Sequence, residues 1–233
     1  MLDVKCYASG SSGNCYVVSN GQTSIMIDPG LPLRKLQRVT DYMTPDAALC
    51  THEHMDHAAA VSSMMQLGTD CYMTRGTADA LGVTAHHRCH ILSHGGSVSI
   101  GGITVSAFDT EHDAAEPCGF LLDDGEDRLL YATDTYFIKF RFKNLTKILV
   151  EANYSYEIVE ENKREGRIHK ALADRLMQSH FAIENVVKFL EANDLSTVKE
   201  IWLLHLSKQN SDPQKFQQIV MRKTGLPTYI AGG

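Results

Sequence analysis

Residues 51–57 read THEHMDH, and this stretch places His52, His54, Asp56 and His57 within six consecutive positions. An imidazole is costly to bury without a hydrogen-bonding partner, so such groups are normally scattered along a chain. The crowding has two interpretations. Either the stretch is a polar surface loop, or the four side chains share a partner that none of them binds alone. A compact motif with four metal-ligand groups favours the shared partner.

The composition is that of a globular protein. The chain has 233 residues, of which 43% are hydrophobic and 21% charged, so we expect one large domain over residues 1–233. No apolar run approaches the ~20 residues that cross a bilayer, and the first 20 residues lack the apolar stretch of a signal peptide. We therefore expect a cytoplasmic protein. The six cysteines form no CxxC pair and are expected to be reduced core thiols.

The net charge of −6 gives the chain as a whole no basic surface for nucleic acid. The charge is uneven, however, because residues 139–175 contain nine Lys or Arg against six Asp or Glu. This segment either attracts a polyanion or forms an ordinary solvated helical face. The sequence leaves both interpretations open.

The order of the predicted elements indicates a layered α/β protein. Short β-rich runs in the first part of the chain are separated by Gly, Ser and Asn, and THEHMDH lies between an apolar strand and a helix-like run. Residues 154–193 are rich in predicted helix, where Phe181, Val186, Val187 and Leu190 have an amphipathic spacing, and apolar strands flank them. Residues 212–225 are predicted to form a helix with Asp212 as its N-cap and Pro213 at its first position. Two sheets face to face, with helices on the outside, would accommodate strands followed by helix twice over.

Three further polar residues end apolar strands. His112 follows TVSAFDTE, Asp134 follows RLLYAT and His205 follows EIWLL. If these strands line one rim, all three side chains converge on the THEHMDH turn, at the kind of edge where layered α/β proteins bind ligands. The full set of predicted ligands is His52, His54, Asp56, His57, His112, Asp134 and His205.

The chemistry of these ligands predicts two metal ions. Five imidazoles and two carboxylates suit Zn²⁺, Fe²⁺ or Mn²⁺ better than Ca²⁺ or Mg²⁺. Seven ligands exceed the four that one zinc takes, so two divalent ions are expected. Two such ions about 3.5–4 Å apart hold a hydroxide nucleophile and stabilise the charge that develops during hydrolysis.

In this arrangement the sequence resembles the metallo-β-lactamase-fold hydrolases, from Val4 to Ile230. The resemblance implies an α/β (α+β) fold, a four-layer αβ/βα sandwich, with hydrolysis by a metal-bridging hydroxide that Asp56 helps to orient. It also implies that Asp134 bridges the metals and that Asp28, in IDPG, steadies the metal loop. The implied ligands are His52, His54 and His112 for one metal and Asp56, His57 and His205 for the other.

Four stretches are similar to the small YycJ/WalJ-type branch of that family, which is described as metal-dependent DNA exonucleases or hydrolases. They are SGSSGNCYVV (9–18), EHDAAEPCGF (111–120), EAN (151–153) and HLSKQNSDP (205–213). The resemblance makes His180 a candidate catalytic residue, for phosphate contact or proton transfer. We expect DNA as the substrate, with candidate contacts from Ser207, Lys139 and Arg141.

Two other functions stay open on the sequence. The first is a small-molecule esterase, thioesterase or cyclic phosphodiesterase, which a closed apolar pocket beside the metals would favour over an open basic groove. The second is a non-catalytic metal-binding scaffold, although a structural zinc needs four closed ligands and no open position. For a further group of histidines we expect a structural or surface role, because they match no known ligand spacing: His86, His87, His90 and His94.

Overall fold

The computed structural model describes residues 1–232, which divide into two units. Unit 1 comprises residues 1–109 and 114–129 together with Gly232, and unit 2 comprises residues 110–113 and 130–231. The expectation of one domain over the whole chain stays a prediction. Among the described residues, no helix combines the length and the apolar character needed to cross a membrane.

Unit 1 combines strands with short helices. Its strands are β1 (Asp3–Ala8), β2 (Cys15–Ser19), β3 (Ser24–Ile27), β4 (Ala47–Leu49), β5 (Asp70–Met73), β6 (Cys89–Ile91), β7 (Ser97–Ile100), β8 (Ile103–Asp109) and β9 (Cys118–Asp123). Its helices are α1 (Leu33–Val39), α2 (Met55–Ala58), α3 (Val61–Gln66) and α4 (Arg75–Ala80). Strands β1 to β6 form a sheet in chain order, antiparallel up to β3 and parallel from β3 onwards. Strands β7, β8 and β9 pair antiparallel.

The parallel pairing of β3 with β4 positions the first polar residues of the candidate site. Ile27 lies opposite Leu49, so Asp28 follows β3 beside the residues that follow β4. Gly30 completes the turn after Asp28, and a Cβ at this position would overlap with the carbonyl oxygen of Asp56. Glycine is therefore required in the DPG turn, because it lets the loop that carries Asp56 approach the turn closely.

The strand β10 (Arg128–Ala132) carries the chain from unit 1 into unit 2. The remaining strands of unit 2 are β11 (Lys147–Glu151), β12 (Glu200–Leu204) and β13 (Thr228–Ile230), which pair parallel in that order. Its helices are α5 (Tyr156–Arg164), α6 (Lys170–Ser179), α7 (Ile183–Glu191) and α8 (Pro213–Thr224). Glu151 lies opposite Leu204, the residue before His205, so two polar strand ends meet here.

The helices of unit 2 show how much of the local structure follows from the sequence. In α7, Leu190 is buried as its spacing predicts, whereas Val187 is half buried and Phe189 takes the buried position instead. The start of α8 is confirmed as predicted, because the side chain of Asp212 accepts a hydrogen bond from Lys215 N and a proline opens the helix.

Candidate metal centre

The THEHMDH stretch of unit 1 forms a loop that leads into α2. His54 is the residue before α2, and Asp56 and His57 lie within the helix. His52 Nε2 lies 3.1 Å from His54 Nδ1, and the ring centroids of His52 and His57 lie 4.2 Å apart. The rings of His52 and His57 are buried. Unit 1 therefore brings its four predicted ligands together, as their closeness in sequence requires.

The buried carboxylate of Asp28 bonds to both sides of this loop. Its Oδ1 accepts hydrogen bonds from Thr51 N at 2.8 Å and Thr51 Oγ1 at 2.9 Å, and its Oδ2 lies 2.9 Å from His57 Nδ1. A carboxylate only accepts, so His57 donates from Nδ1 and keeps its lone pair on Nε2. Metal-binding imidazoles are commonly oriented in this way by a carboxylate on the other ring nitrogen. The steadying role of Asp28 stays a prediction.

The backbone of Asp56 is held by Asn14. Its carbonyl oxygen accepts hydrogen bonds from Asn14 N at 2.7 Å and from Asn14 Nδ2 at 3.1 Å. The carboxylate lies 3.6 Å from His57 Nε2 and is 24% exposed. The side chain is thus positioned beside a candidate ligand and still has access to solvent.

Unit 2 gathers His112, Asp134 and His205 from three separate segments. His112 Nδ1 donates to the carbonyl oxygen of Ser179 at 2.8 Å, so Nε2 is the ring nitrogen that faces Asp134 Oδ2 at 3.7 Å. His205 Nδ1 lies 3.1 Å from Asp134 Oδ1. All three side chains are buried. The structure therefore brings the predicted ligands of unit 2 into one group, with Asp134 between two imidazoles.

Three of these polar residues share a left-handed backbone conformation. The φ angles of Asp28, Asp134 and His205 are 51°, 43° and 51°. Each residue follows the end of an apolar strand directly or after one intervening residue. A non-glycine residue in this conformation costs of order 1–3 kcal/mol, and such residues concentrate at functional sites, where the surrounding contacts hold them.

Glu151 joins the unit 2 group, and its role was not predicted from the sequence. Its fully buried carboxylate lies 2.7 Å from His180 Nδ1 and 3.1 Å from His205 Nδ1. It also accepts hydrogen bonds from Thr135 N at 3.0 Å and Phe181 N at 3.2 Å. Glu151 could have been identified as Asp134 was, because both are carboxylates at the end of a buried strand.

The electrostatics of unit 2 favour a charged pair between Glu151 and His180. Burial raises the pKa of Glu151, but the charge of His180 and the hydrogen bonds from His180 and His205 outweigh it, so the pKa is lowered. Burial lowers the pKa of His180, but the charge and hydrogen bond of Glu151 outweigh it, so this pKa is raised. His112 differs, because burial lowers its pKa more than Asp134 raises it.

The donor atoms in each unit fit divalent transition-metal ions. In unit 1, the ring nitrogens of His52 and His54 are 3.1 Å apart. Two nitrogens that bind one tetrahedral zinc at 2.0–2.1 Å are separated by about 3.3 Å. Nitrogen and carboxylate donors without thiolates suit Zn²⁺, Fe²⁺ or Mn²⁺. Four side chains of unit 2 each place one ligand atom within 4.8 Å of the other three: Asp134, Glu151, His180 and His205.

The candidate substrate contacts all belong to unit 2. Ser207 is half buried in the loop after β12, where its backbone N donates to the carbonyl oxygen of Asn153 at 2.9 Å. Lys139 and Arg141 are exposed in the segment between β10 and β11. Their contacts with a substrate stay predictions.

The histidines of residues 86–94 make surface contacts in unit 1. His90 Nε2 lies 3.1 Å from Asp70 Oδ1, and the rings of His86 and His87 stack with centroids 4.7 Å apart. Within residues 1–232, none of the side-chain groups with metal-binding geometry includes one of them. These contacts agree with the structural or surface role expected from the sequence.

Known proteins resemble this chain over most of its length. The family described as "Beta-lactamase superfamily domain" matches residues 23–205. The protein named Exodeoxyribonuclease WalJ of Streptococcus pneumoniae is 28% identical over 220 residues, which cover 88% of this chain and 81% of that protein. The protein named Exodeoxyribonuclease YycJ of Bacillus anthracis is 28% identical over 226 residues, which cover 90% and 84%.

A solved structure confirms the predicted fold. The metallo-β-lactamase fold protein YhfI of Bacillus subtilis superposes with a TM-score of 0.73 at 14% identity, covering 99% of this chain and 97% of that one. At this identity the likeness shows the fold alone. The prediction of an α/β protein with the metallo-β-lactamase fold is therefore confirmed.

Proposed function

The chain belongs to the beta-lactamase superfamily domain family and is a metal-dependent hydrolase, and from this premise we propose that it is a two-metal deoxyribonuclease. The observation that carries the proposal is the identity of 28%, over about nine-tenths of the chain, with relatives named exodeoxyribonucleases. The candidate ligands in each unit support it, since phosphodiester hydrolysis commonly uses two metal ions. A cytoplasmic location would suit a DNA substrate and stays a prediction.

The proposed ligands would hold two divalent ions, of which Zn²⁺, Mn²⁺ and Fe²⁺ suit the donors. Asp134 would be a ligand of both ions, as the resemblance implies. Two such ions supply a nucleophile from water at neutral pH and stabilise charge on the phosphate oxygens. The proposed ligands are His52, His54 and His112 for one ion and Asp56, His57 and His205 for the other.

Buried carboxylates would orient two of the imidazoles for metal binding. The contact of Asp28 with His57 Nδ1 keeps the lone pair of His57 on Nε2, which Asn14 Nδ2 contacts at 3.1 Å and which would form the bond to a metal. Glu151 fixes the ring of His205 in the same manner from β11. The carboxylate of Asp56 lies 3.6 Å from His57 Nε2 and is partly exposed, which suits a second role, that of orienting the attacking water.

His180 would contact the phosphate and donate a proton to the leaving oxygen. Glu151 holds its Nδ1 at 2.7 Å, so Nε2 is the ring nitrogen that would face the substrate. The side chain is 19% exposed, which gives a substrate access to a ring that is otherwise enclosed. A positioned histidine of this kind contributes about 10²–10⁴-fold to the rate of a hydrolytic reaction.

The test is metal analysis followed by cleavage of end-labelled single- and double-stranded DNA with added Mn²⁺ or Zn²⁺. We expect two ions per chain in the wild type and no cleavage by Asp56→Ala or His112→Ala. The control variant His87→Ala removes a surface histidine and should cleave like the wild type.

A protein that binds two metal ions but cleaves no DNA would contradict the proposed deoxyribonuclease activity. Hydrolysis of a small phosphodiester or ester under the same conditions would then identify the chain as a small-molecule hydrolase. The product ladder of an active wild type would give the direction of digestion.

A further inference from the structure

Residues 136–144, YFIKFRFKN, form an unusual surface segment of unit 2. It contains four aromatic residues and three basic residues in nine positions, and it has no acidic residue. Tyr136, Phe137 and Phe140 are 41%, 52% and 36% exposed. Single exposed aromatic residues are ordinary, but three within five positions form a patch that normally contacts a partner. We call this stretch the aromatic–basic segment.

A cleft of about 460 Å³ lies between the aromatic–basic segment and α7. Phe137 and Phe140 line it from the segment, and Lys188 and Asn185 line it from the helix. Buried phenyl rings, among them Phe181, complete its wall. Flat aromatic faces beside cationic groups form a surface that suits a ligand with a planar ring and a negative charge.

Hydrogen bonds hold the aromatic–basic segment near both of its ends, one within the chain turn and one to the residues after α7. Thr135 Oγ1 donates to the carbonyl oxygen of Phe137 at 2.8 Å. Phe142 N donates to Asn193 Oδ1 at 2.7 Å, just beyond the end of α7. Between these anchors Lys139 Nζ lies 5.4 Å from the centroid of the Phe140 ring.

Negative charge on α7 does not cancel the basic groups. Glu184 accepts a hydrogen bond from Ser155 Oγ at 2.9 Å and faces the start of α5. Glu191 lies 3.4 Å from Lys223 Nζ. Both acidic side chains are thus engaged by other groups, and neither lines the cleft.

Two residues that line the cleft adjoin the unit 2 ligand group in sequence. Phe137 is three residues from Asp134, and Phe181 directly follows His180. Three residues span at most about 10 Å, which corresponds to roughly three stacked nucleotides at 3.4 Å each. A nucleotide held in the cleft would therefore be a near neighbour of the phosphate that meets Asp134 and His180.

We propose that this cleft binds an unpaired nucleobase of a single DNA strand, which stacks on Phe137 and Phe140 while Lys188, Lys139 and Arg141 contact the flanking phosphates. The proposal rests on the proposed function and deepens it, because it makes the substrate a strand with an unpaired end. The face of a base is accessible to phenyl rings only when the base is outside a duplex. Stacking also works for every base, so the cleft would favour no particular sequence.

The test combines an abasic scan of the DNA with removal of the rings. Fluorescently labelled oligothymidylates with phosphorothioate linkages carry one abasic nucleotide at successive positions, and their binding to the full-length protein is measured by anisotropy. The protein variants are Phe137→Ala and Phe140→Ala, with Phe137→Trp to restore stacking. Tyr42→Ala is the matched control, because it removes a 68% exposed aromatic residue from unit 1.

We expect one abasic position to weaken binding to the wild type by about tenfold, the usual size of one base–aromatic stacking contact. The same abasic nucleotide should have little further effect in Phe137→Ala or Phe140→Ala, and Phe137→Trp should restore the effect. Lys188→Gln should lower the slope of log K against log salt by about 0.7, the loss of one phosphate contact to a single strand.

The proposal would be overturned if the abasic nucleotide weakened binding equally in the wild type and in both alanine variants. It would also be overturned if the alanine variants lost affinity for double-stranded DNA as much as for single-stranded DNA. The proposed function is judged separately, by DNA cleavage with added metal. A wild type that shows the abasic effect but cleaves no DNA would keep the cleft and overturn the nuclease. A wild type that cleaves DNA but shows no abasic effect would support the nuclease and overturn the nucleobase-binding cleft.

Discussion

The two groups of candidate ligands are built in opposite ways. Unit 1 takes four of its side chains from the six consecutive positions 52–57, so the local chain brings them together. Unit 2 takes its group from positions 93 residues apart at the extremes, from His112 to His205, and only the tertiary fold unites them. The comparison teaches that a motif of local origin can be recognised directly in one sequence, whereas a dispersed group is only suggested by polar residues at strand ends, and Glu151 became visible only with the structure.

Each group nevertheless contains one fully buried carboxylate that bonds to a ring nitrogen. Asp28 bonds to one imidazole and to both the N and Oγ1 of Thr51. Glu151 bonds to two imidazoles and to the backbone N–H groups of two further residues. If this difference matters, the loss of Glu151 should damage the fold, and the loss of Asp28 should mainly weaken metal binding.

Among the residues around the proposed ligands, the largest effect is expected from His180 in unit 2. His180→Ala should lower kcat for DNA cleavage by about 10²–10⁴-fold, because the proposed proton donor is removed. The metal content should stay at the wild-type level, which separates a catalytic residue from a metal ligand. His169→Ala, at an exposed position before α6, is the control. Loss of one metal ion from His180→Ala would instead make His180 a ligand beside Asp134, Glu151 and His205.

Removing Glu151 should have the next largest effect, and on stability. Glu151→Ala leaves two buried backbone donors and a buried imidazole without their acceptor, so the free energy of unfolding should fall by about 3–5 kcal/mol. Urea denaturation followed by circular dichroism measures this. Glu157→Ala, which removes an exposed partner of Lys215, should barely move the midpoint. Equal stability of the Glu151→Ala variant and the wild type would contradict the structural role of this carboxylate.

A smaller effect is expected from Asp28 in unit 1. Asp28→Asn preserves the shape of the side chain but replaces one acceptor oxygen by a donor, so His57 loses its fixed tautomer. Metal affinity should fall about 10- to 100-fold, the usual cost of losing a residue that orients a metal ligand. Competition with a chelator measures this. Asp70→Asn, which alters a surface carboxylate of the same unit, should bind metal like the wild type. An unchanged metal affinity of the Asp28→Asn variant would contradict the proposed role of Asp28 in orienting His57.

The smallest effect tests a feature outside both groups. Asp212→Ala removes the side chain that caps α8, and it should lower the free energy of unfolding by about 1 kcal/mol. Asp212→Ser keeps an N-cap acceptor and should recover most of that loss. Metal content should not change in either variant. Thermal unfolding of the wild type and the two variants measures these differences. An alanine variant as stable as the wild type would contradict a stabilising role for the Asp212 cap.

Sequence patterns predicted best what depends on neighbouring residues. The THEHMDH stretch, the apolar strands and the cap of α8 are all local features, and the structure contains each of them. Asp134 and His205 were identified because each ends an apolar strand. Their roles as ligands came from the resemblance to a family as much as from the residues themselves.

The features that the sequence did not reveal depend on distant parts of the chain. Glu151 lies in an EAN stretch that by itself reads as the end of a buried strand. Its importance depends on the parallel register of β11 with β12, which sets it beside the residue after Leu204. Gly30 could be read only as a turn residue, because the carbonyl oxygen that excludes a Cβ belongs to Asp56, 26 positions away.

The division of the chain between the units has a consequence for its synthesis. The chain passes from one unit to the other after residues 109, 113, 129 and 231, so neither unit is a continuous segment. A ribosome finishes the loop that ends at His57 and must add 148 further residues before His205 exists. At about 5–20 residues per second this takes roughly 7–30 s, during which the nascent chain carries an incomplete donor set. Under the proposed ligand assignment, the order of residues would postpone full metal loading until nearly the whole chain has been made.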